Sequence, residues 1–284
     1  MTARAWWWAA RPATLAASVA PVLVGTAIAA ADGSAKLWPG LAALVVAIAM
    51  QVGVNYANDY SDFVRGADTP RRVGPRRAAS SGLIPAVQVR SAAIAAFAVA
   101  ALVGLGLSLA TDWRLLIAGA LAVAAGWLYT GGPRPYGYSG LGEVFVFIFF
   151  GLVATAGTTY VQEHRVPESS LIAGAALGLL ASAILMLNNL RDSETDALAG
   201  KRTLAVRLGR SRARFILALT LALALLLPLS MGGYAWLPLL LLPVAVVIFQ
   251  SSRSTEPRQL IVALKRTAAL EAWFALLLSV GLLL

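Results

Sequence analysis

The chain is dominated by continuous apolar runs. A helix crossing the hydrocarbon layer needs about 20 mostly apolar residues. Nine segments approach that length: 12–31, 37–58, 89–110, 113–130, 141–161, 171–190, 215–231, 234–250 and 267–284. Barrel strands would alternate apolar and polar residues, and these runs do not. Several are rich in Gly and Ala, which lets membrane helices approach closely. Only 13% of the 284 residues are charged, against about 25% in soluble domains, so a water-facing surface of this size cannot be covered. The expected fold is an all-α polytopic membrane bundle of nine helices forming one domain over residues 1–284. The absence of cysteine excludes thiol nucleophiles, disulfides and iron–sulfur centres, and a single histidine, His164, excludes a multi-histidine metal site. His164 falls in a polar loop and reads as a solvated residue.

The first run is expected to remain as a helix. It exceeds the usual 7–15-residue signal-peptide core, it contains Pro12 and Pro21, and Trp6, Trp7 and Trp8 before it suit an interfacial anchor. Counted over alternating loops, 20 of the 23 Lys and Arg fall on the side of the N-terminus; Lys36, Arg114 and Arg165 fall on the other. The positive-inside rule then places the N-terminus in the cytoplasm. Arg90, Arg210, Arg212, Arg214 and Arg253 are read as topology and anionic-lipid contacts. No charge is expected mid-span, and Glu271 is expected to pair with Lys265 or Arg266.

Two cytoplasmic segments, 55–90 and 188–214, break the monotony in the same way. Asn55 precedes Asp59 by four residues, Asn58 precedes Asp62 by four, and Asn188, Asp192 and Asp196 repeat the interval. If each helix outlasts its apolar run, residues at i and i+4 share a face. Amide and carboxylate oxygens are then gathered at one place on successive turns. Such oxygens suit Mg2+, which binds one or two carboxylates together with substrate phosphates. Basic residues follow each cluster: Arg65, Arg71, Arg72, Arg76 and Arg77 in one, Lys201 and Arg202 in the other. Metal-holding carboxylates beside phosphate-holding cations make a diphosphate site.

These motifs resemble the two Asp-rich motifs of the UbiA superfamily of intramembrane aromatic prenyltransferases. The likeness covers nearly the whole chain. It is carried by Arg11-Pro-Ala-Thr-Leu, Asn58-Asp-Tyr-Ser-Asp62, Tyr129-Thr-Gly-Gly-Pro with Gly140-Leu-Gly-Glu143, and Asn189-Leu-Arg-Asp-Ser-Glu-Thr-Asp196 with Gly200-Lys-Arg-Thr-Leu. The broad pattern has a further Asp four residues after Asp62, where this chain has Gly66; the nearest is Asp68. The branch acting on 1,4-dihydroxy-2-naphthoate accepts this Gly-x-Asp form.

The resemblance implies transfer of a polyprenyl group from an allylic diphosphate to that naphthoate, with loss of CO2 and diphosphate, giving demethylmenaquinone. It implies Mg2+ on Asn58, Asp62, Asp192 and Asp196, with Asp59 and Lys201 also in the catalytic set. Asn55, Arg65, Arg72, Tyr129, Tyr138, Glu143, Asn189 and Arg202 are the implied substrate-binding residues. Tyr56, Tyr60, Tyr129 and Tyr138 are candidates to face an allylic cation. Glu143 is read either as an acceptor-positioning group or as an interfacial carboxylate near Arg134. The expected setting is a bacterial cell membrane with the site facing the cytoplasm, with membrane lipid and no nucleic acid as partner. Another acceptor of the superfamily (4-hydroxybenzoate, homogentisate, haem, a chlorophyllide or phosphoribosyl diphosphate) and a transporter of anionic lipids or phosphorylated solutes are the alternatives.

Overall fold

The computed structural model describes residues 2–67, 74 and 77–284. Among these residues it is all-helical, with no strand. Six helical stretches are long and apolar enough to cross a membrane, and three apolar helical stretches are shorter, at 10–17 residues.

The chain enters through α1 (Ala3–Ala9) and a single 3-10 turn before α2 (Ala16–Ala31). The tryptophans therefore sit on their own short helix rather than on the first apolar one. α3 (Leu37–Val64) and α4 (Ala86–Ala110) pack as a pair, followed by α5 (Leu115–Leu128). Next, α6 (Gly142–Val146) and α7 (Ala154–Glu163) are joined by a π-helical stretch, Phe147–Val153. α8 (Glu168–Leu198) is the central helix, and it packs against the π-helical stretch, α9 (Leu204–Leu226) and α11 (Pro257–Leu283). α10 (Leu242–Ser252) lies against α9 and α11.

Glycine makes the closest of these contacts possible. A Cβ on Gly151 would lie 2.4 Å from both the carbonyl oxygen of Gly174 and the Cα of Gly178. The π-helical stretch thus meets α8 backbone to backbone, the close approach that small residues four apart permit.

The apolar runs underestimate the helices at the ends that carry the polar motifs. α3 continues six residues past Asn58, α8 eight past Leu190, and α9 begins at Leu204 rather than near 215. Polar residues continue these helices because side-chain hydrophobicity does not decide whether the i→i−4 ladder persists. α3 and α8 also stop in the same way. In α3, Gly66 has φ 66°, its N–H donates to the Phe63 carbonyl, and Ala67 N–H donates to that of Asp62 at 2.9 Å. In α8, Gly200 has φ 74°, its N–H donates to the Ala197 carbonyl, and Lys201 N–H donates to that of Asp196 at 2.8 Å. Both are Schellman caps with glycine in the left-handed position. Gly66 therefore has a structural reason to stand where a further Asp was expected: it ends the helix.

One expectation about charge fails here. Glu271 does not pair with Lys265 or Arg266. It is wholly buried near the middle of α11, and neither carboxylate oxygen has a hydrogen-bond partner among the described residues. His164 is exposed, as expected.

Candidate diphosphate and acceptor site

The C-terminal ends of α3 and α8 converge on one pole of a cavity of about 890 Å3. Asn58, Asp62, Asn188, Asp192, Asp196 and Lys201 line this pole. Much of the remaining wall is apolar, with side chains from α2, α3, α5, the π-helical stretch and α7.

The i,i+4 ladders place these side chains as the spacing suggested, because both motifs lie on helix. Asp62 is buried and accepts three bonds. Lys201 Nζ reaches Oδ1 at 3.0 Å, the Tyr138 hydroxyl donates to the same oxygen at 2.7 Å, and Arg77 Nη2 meets Oδ2 at 2.9 Å. Lys201 also lies 4.6 Å from the centre of the Tyr138 ring. On α8, Arg191 grips Asp192 through Nε–Oδ1 at 2.7 Å and Nη2–Oδ2 at 2.6 Å, and donates to Asn188 Oδ1 at 2.7 Å. Asn58 Oδ1 accepts from Thr130 Oγ1 at 2.8 Å. Burying a charged carboxylate is costly unless it is paired, and here cations from three chain segments pair Asp62 and Asp192.

Other expected residues do different work. Asp59 is buried with both oxygens capping a loop: Ala78 N–H donates to Oδ2 at 2.9 Å and Ala79 N–H to Oδ1 at 3.2 Å. Asn55 lines the cavity, but its Nδ2 ties α3 to the N-terminal turn through the Ala10 carbonyl and Thr14 Oγ1. Arg65 and Arg202 are exposed and do not line the cavity. Arg65 donates to the carbonyls of Thr130 and Gly132, bracing the segment that carries Thr130. Arg72 and Asp68 lie outside the described residues.

Glu143 is buried, away from Arg134, and does not line the cavity. Its Oε1 accepts from Asn189 Nδ2 at 2.9 Å, and Oε2 has no partner among the described residues. Asn189 itself lines the cavity. Of the four tyrosines considered, Tyr129 and Tyr138 face the cavity. Tyr56 packs edge-on to Trp6, and Tyr60 lies beneath Arg90.

Several wall residues carried no marking in sequence. Tyr136, Phe145 and Phe149 continue from Tyr129 as an aromatic wall, with centroid separations of 5.5, 4.0 and 6.1 Å along the series. The Tyr136 hydroxyl donates to the Ala125 carbonyl at 2.8 Å, and burial pushes this phenol above its ordinary pKa, so it stays a neutral donor. Thr203 Oγ1 is buried at the cavity wall without a partner among the described residues.

A helical bundle that opens an apolar cavity onto a pole of paired carboxylates and cations defines a membrane protein for ligands with an ionic head and an apolar tail. The description "UbiA prenyltransferase family" matches residues 18–283, and the chain belongs to that family. It is 50% identical over 211 residues to the 1,4-dihydroxy-2-naphthoate octaprenyltransferase of Mycobacterium tuberculosis, covering 74% of this chain and 72% of that protein. The Haemophilus influenzae protein of the same name is 36% identical over 298 residues, covering 98% of this chain and 96% of that one. The structure of a UbiA homolog from Archaeoglobus fulgidus bound to DMAPP and Mg2+ has the same fold, with a TM-score of 0.66, 17% identity, and coverage of 97% and 99%.

Proposed function

We propose that this chain transfers a polyprenyl group from an allylic polyprenyl diphosphate to 1,4-dihydroxy-2-naphthoate. The carrying observation is the junction of Asp62, Lys201 and the α8 ladder at the ionic pole of an apolar cavity. The acceptor follows the names of the relatives at 36–50% identity.

In this reading Lys201, Arg77 and Arg191 hold the diphosphate oxygens, and the prenyl tail runs along the apolar wall. The allylic C–O bond breaks with its electron pair going to the diphosphate. The aromatic wall from Tyr129 to Phe149 faces the allylic carbon and excludes water from it. A ring carbon of the naphthalenediol bonds to that carbon. The C–C bond to the carboxylate then breaks, CO2 leaves, and its electron pair restores the ring. The product is the prenylated naphthalenediol, the reduced form of demethylmenaquinone. Asn189, oriented by Glu143, positions the acceptor.

Mg2+ fits the donor chemistry of the pole. Asn58, Asp62, Asp192 and Asp196 offer hard oxygen ligands, and the unpartnered Thr203 hydroxyl leaves room for another oxygen-bearing group. Among the described residues no three acidic side chains form one cluster. When bound, Mg2+ supplies charge neutralisation for the leaving diphosphate. Asp59 is reassigned in this reading from the catalytic set to positioning of the 77–79 loop.

The same reading takes the six long and three shorter apolar helices as nine spans of one membrane domain, N-terminus inside, in a bacterial cell membrane with the ionic pole at the cytoplasmic face. A panel of acceptors incubated with polyprenyl diphosphate and the purified protein tests it, with and without Mg2+. Prenylation of dihydroxynaphthoate that stops on chelation is expected. Turnover of 4-hydroxybenzoate but not dihydroxynaphthoate would overturn the acceptor assignment.

A further inference from the structure

Arginines placed only for topology belong on the outer face of a helix. Arg207 and Arg212 of α9 are exposed in that way. Arg210 and Arg214 are not. They are half-buried, four residues apart, in register with the buried Ala213 and Leu217. That side of α9 packs against α8 and α10. Arg253, at the end of α10, completes a group of three: it precedes Ser254, whose carbonyl accepts from Arg210 at 3.2 Å, and its charge and that of Arg210 both bear on Arg214.

Guanidinium groups turned inward need a counter-charge. None of the three makes an ion pair with a carboxylate among the described residues. Glu256, the acidic residue nearest Arg253 in sequence, accepts from Gln259 instead. Arg210 uses its terminal nitrogens on the carbonyls of Leu190 and Ser254, at 3.3 and 3.2 Å, and on Ser193 Oγ at 3.4 Å. The Nε groups of Arg210 and Arg214 are buried with no acceptor among the described residues. The kink at Gly209, φ 76° and ψ 162°, starts a new helical run at Arg210, so the positive end of a helix dipole adds to the same spot. Three cations, two buried donors and a helix start lack one thing, which is an anion with several acceptor oxygens.

We propose that Arg210, Arg214 and Arg253 form a binding site for a phosphate group, the headgroup of an anionic phospholipid of the cytoplasmic leaflet. Arginine recognises phosphate through paired N–H donors. Exposed Phe215, the residue after Arg214, offers surface to an acyl chain. The site is separate from the cavity, since none of its three arginines lines it. It is nevertheless one side chain from the chemistry: Arg210 bonds to Leu190 and Ser193, which flank Arg191 and Asp192. An occupied site braces the turn of α8 that presents Asp192.

The test is thermal unfolding of the purified protein with dihexanoyl phosphatidylglycerol, dihexanoyl phosphatidylcholine or inorganic phosphate at equal ionic strength. Phosphatidylglycerol is expected to raise the Tm by about 3 °C or more at saturation. The rise should vanish in Arg214→Gln and Arg253→Gln and persist in Arg212→Gln. An equal rise with inorganic phosphate keeps the anion site and reassigns its source to the free ion. No rise, an equal rise with phosphatidylcholine, or one that survives in the Arg214 and Arg253 variants overturns the proposal. Arg253 is exposed, so Arg253→Gln decides the matter if Arg214→Gln does not fold.

Discussion

Lys201 and Asp62 meet in a buried ion pair of 3.0 Å across 139 residues of sequence. This contact joins the two acidic ladders into one site. It predicts that Asp62→Asn lowers kcat/KM by at least about 100-fold, roughly 2.7 kcal/mol of transition-state stabilisation. Lys201→Ala is expected to raise the KM for the prenyl diphosphate more than that for the aromatic acceptor. Steady-state kinetics with each substrate varied in turn check both. Near-wild-type rates in Asp62→Asn would remove that residue from the reaction.

Asp59 separates structure from chemistry within a single motif. Its oxygens hold the amides of Ala78 and Ala79, next to Arg77, which in turn holds Asp62. Asp59→Asn replaces one acceptor by a donor, at a cost of about 1–3 kcal/mol. A lowered unfolding temperature is expected, with residual turnover well above that of Asp62→Asn. Full thermal stability combined with abolished turnover would return Asp59 to the catalytic set.

Gly157 lines the apolar part of the cavity, and a Cβ built there meets nothing within 4 Å. A larger side chain at this position projects into free space along the tail path. Gly157→Leu is therefore expected to keep turnover of a short allylic diphosphate while reducing that of a long one. A length series of donors reads the ratio directly. A uniform loss across all lengths would place the tail elsewhere.

Glu271 gives a stability prediction. It is fully buried in α11 with neither oxygen satisfied among the described residues. Removing such a group relieves an uncompensated desolvation penalty of about 1–3 kcal/mol. Glu271→Leu should raise the unfolding temperature in detergent, and Glu271→Gln should not. A destabilised Glu271→Leu would mean that the carboxyl holds a partner essential to the fold.

The apolar helices were legible because a bilayer leaves little freedom: about 20 apolar residues can satisfy their backbone only as a helix. The ladders were legible because i,i+4 spacing carries its own geometry, and Asp62 and Asp192 indeed reach one cavity. Which cations serve the carboxylates was not. Arg65 and Arg202 follow the motifs much as Lys201 does, yet neither lines the cavity. Arg77 and Arg191 hold the carboxylates instead. A charge in a turn announces its presence and not its direction. Glu271 was misread although its spacing was informative: Lys265 and Arg266 precede it on one helix by six and five residues, not by the three or four that share a face. The aromatic wall escaped notice because it is assembled from separate elements: Tyr136 from a 3-10 turn, Phe145 from α6 and Phe149 from the π-helical stretch.

The matching caps at Gly66 and Gly200 have an electrostatic consequence. Each ends a helix whose last turn carries an aspartate, Asp62 or Asp196. A helix C-terminus carries about half a negative charge from its unpaired carbonyls. Two such ends aimed at one place contribute roughly one unit of negative charge that belongs to the backbone and to no side chain. Substituting a single aspartate can therefore disrupt ligand geometry while leaving much of the pull on cations intact. In variants of this site, cation binding and turnover should fail at different points.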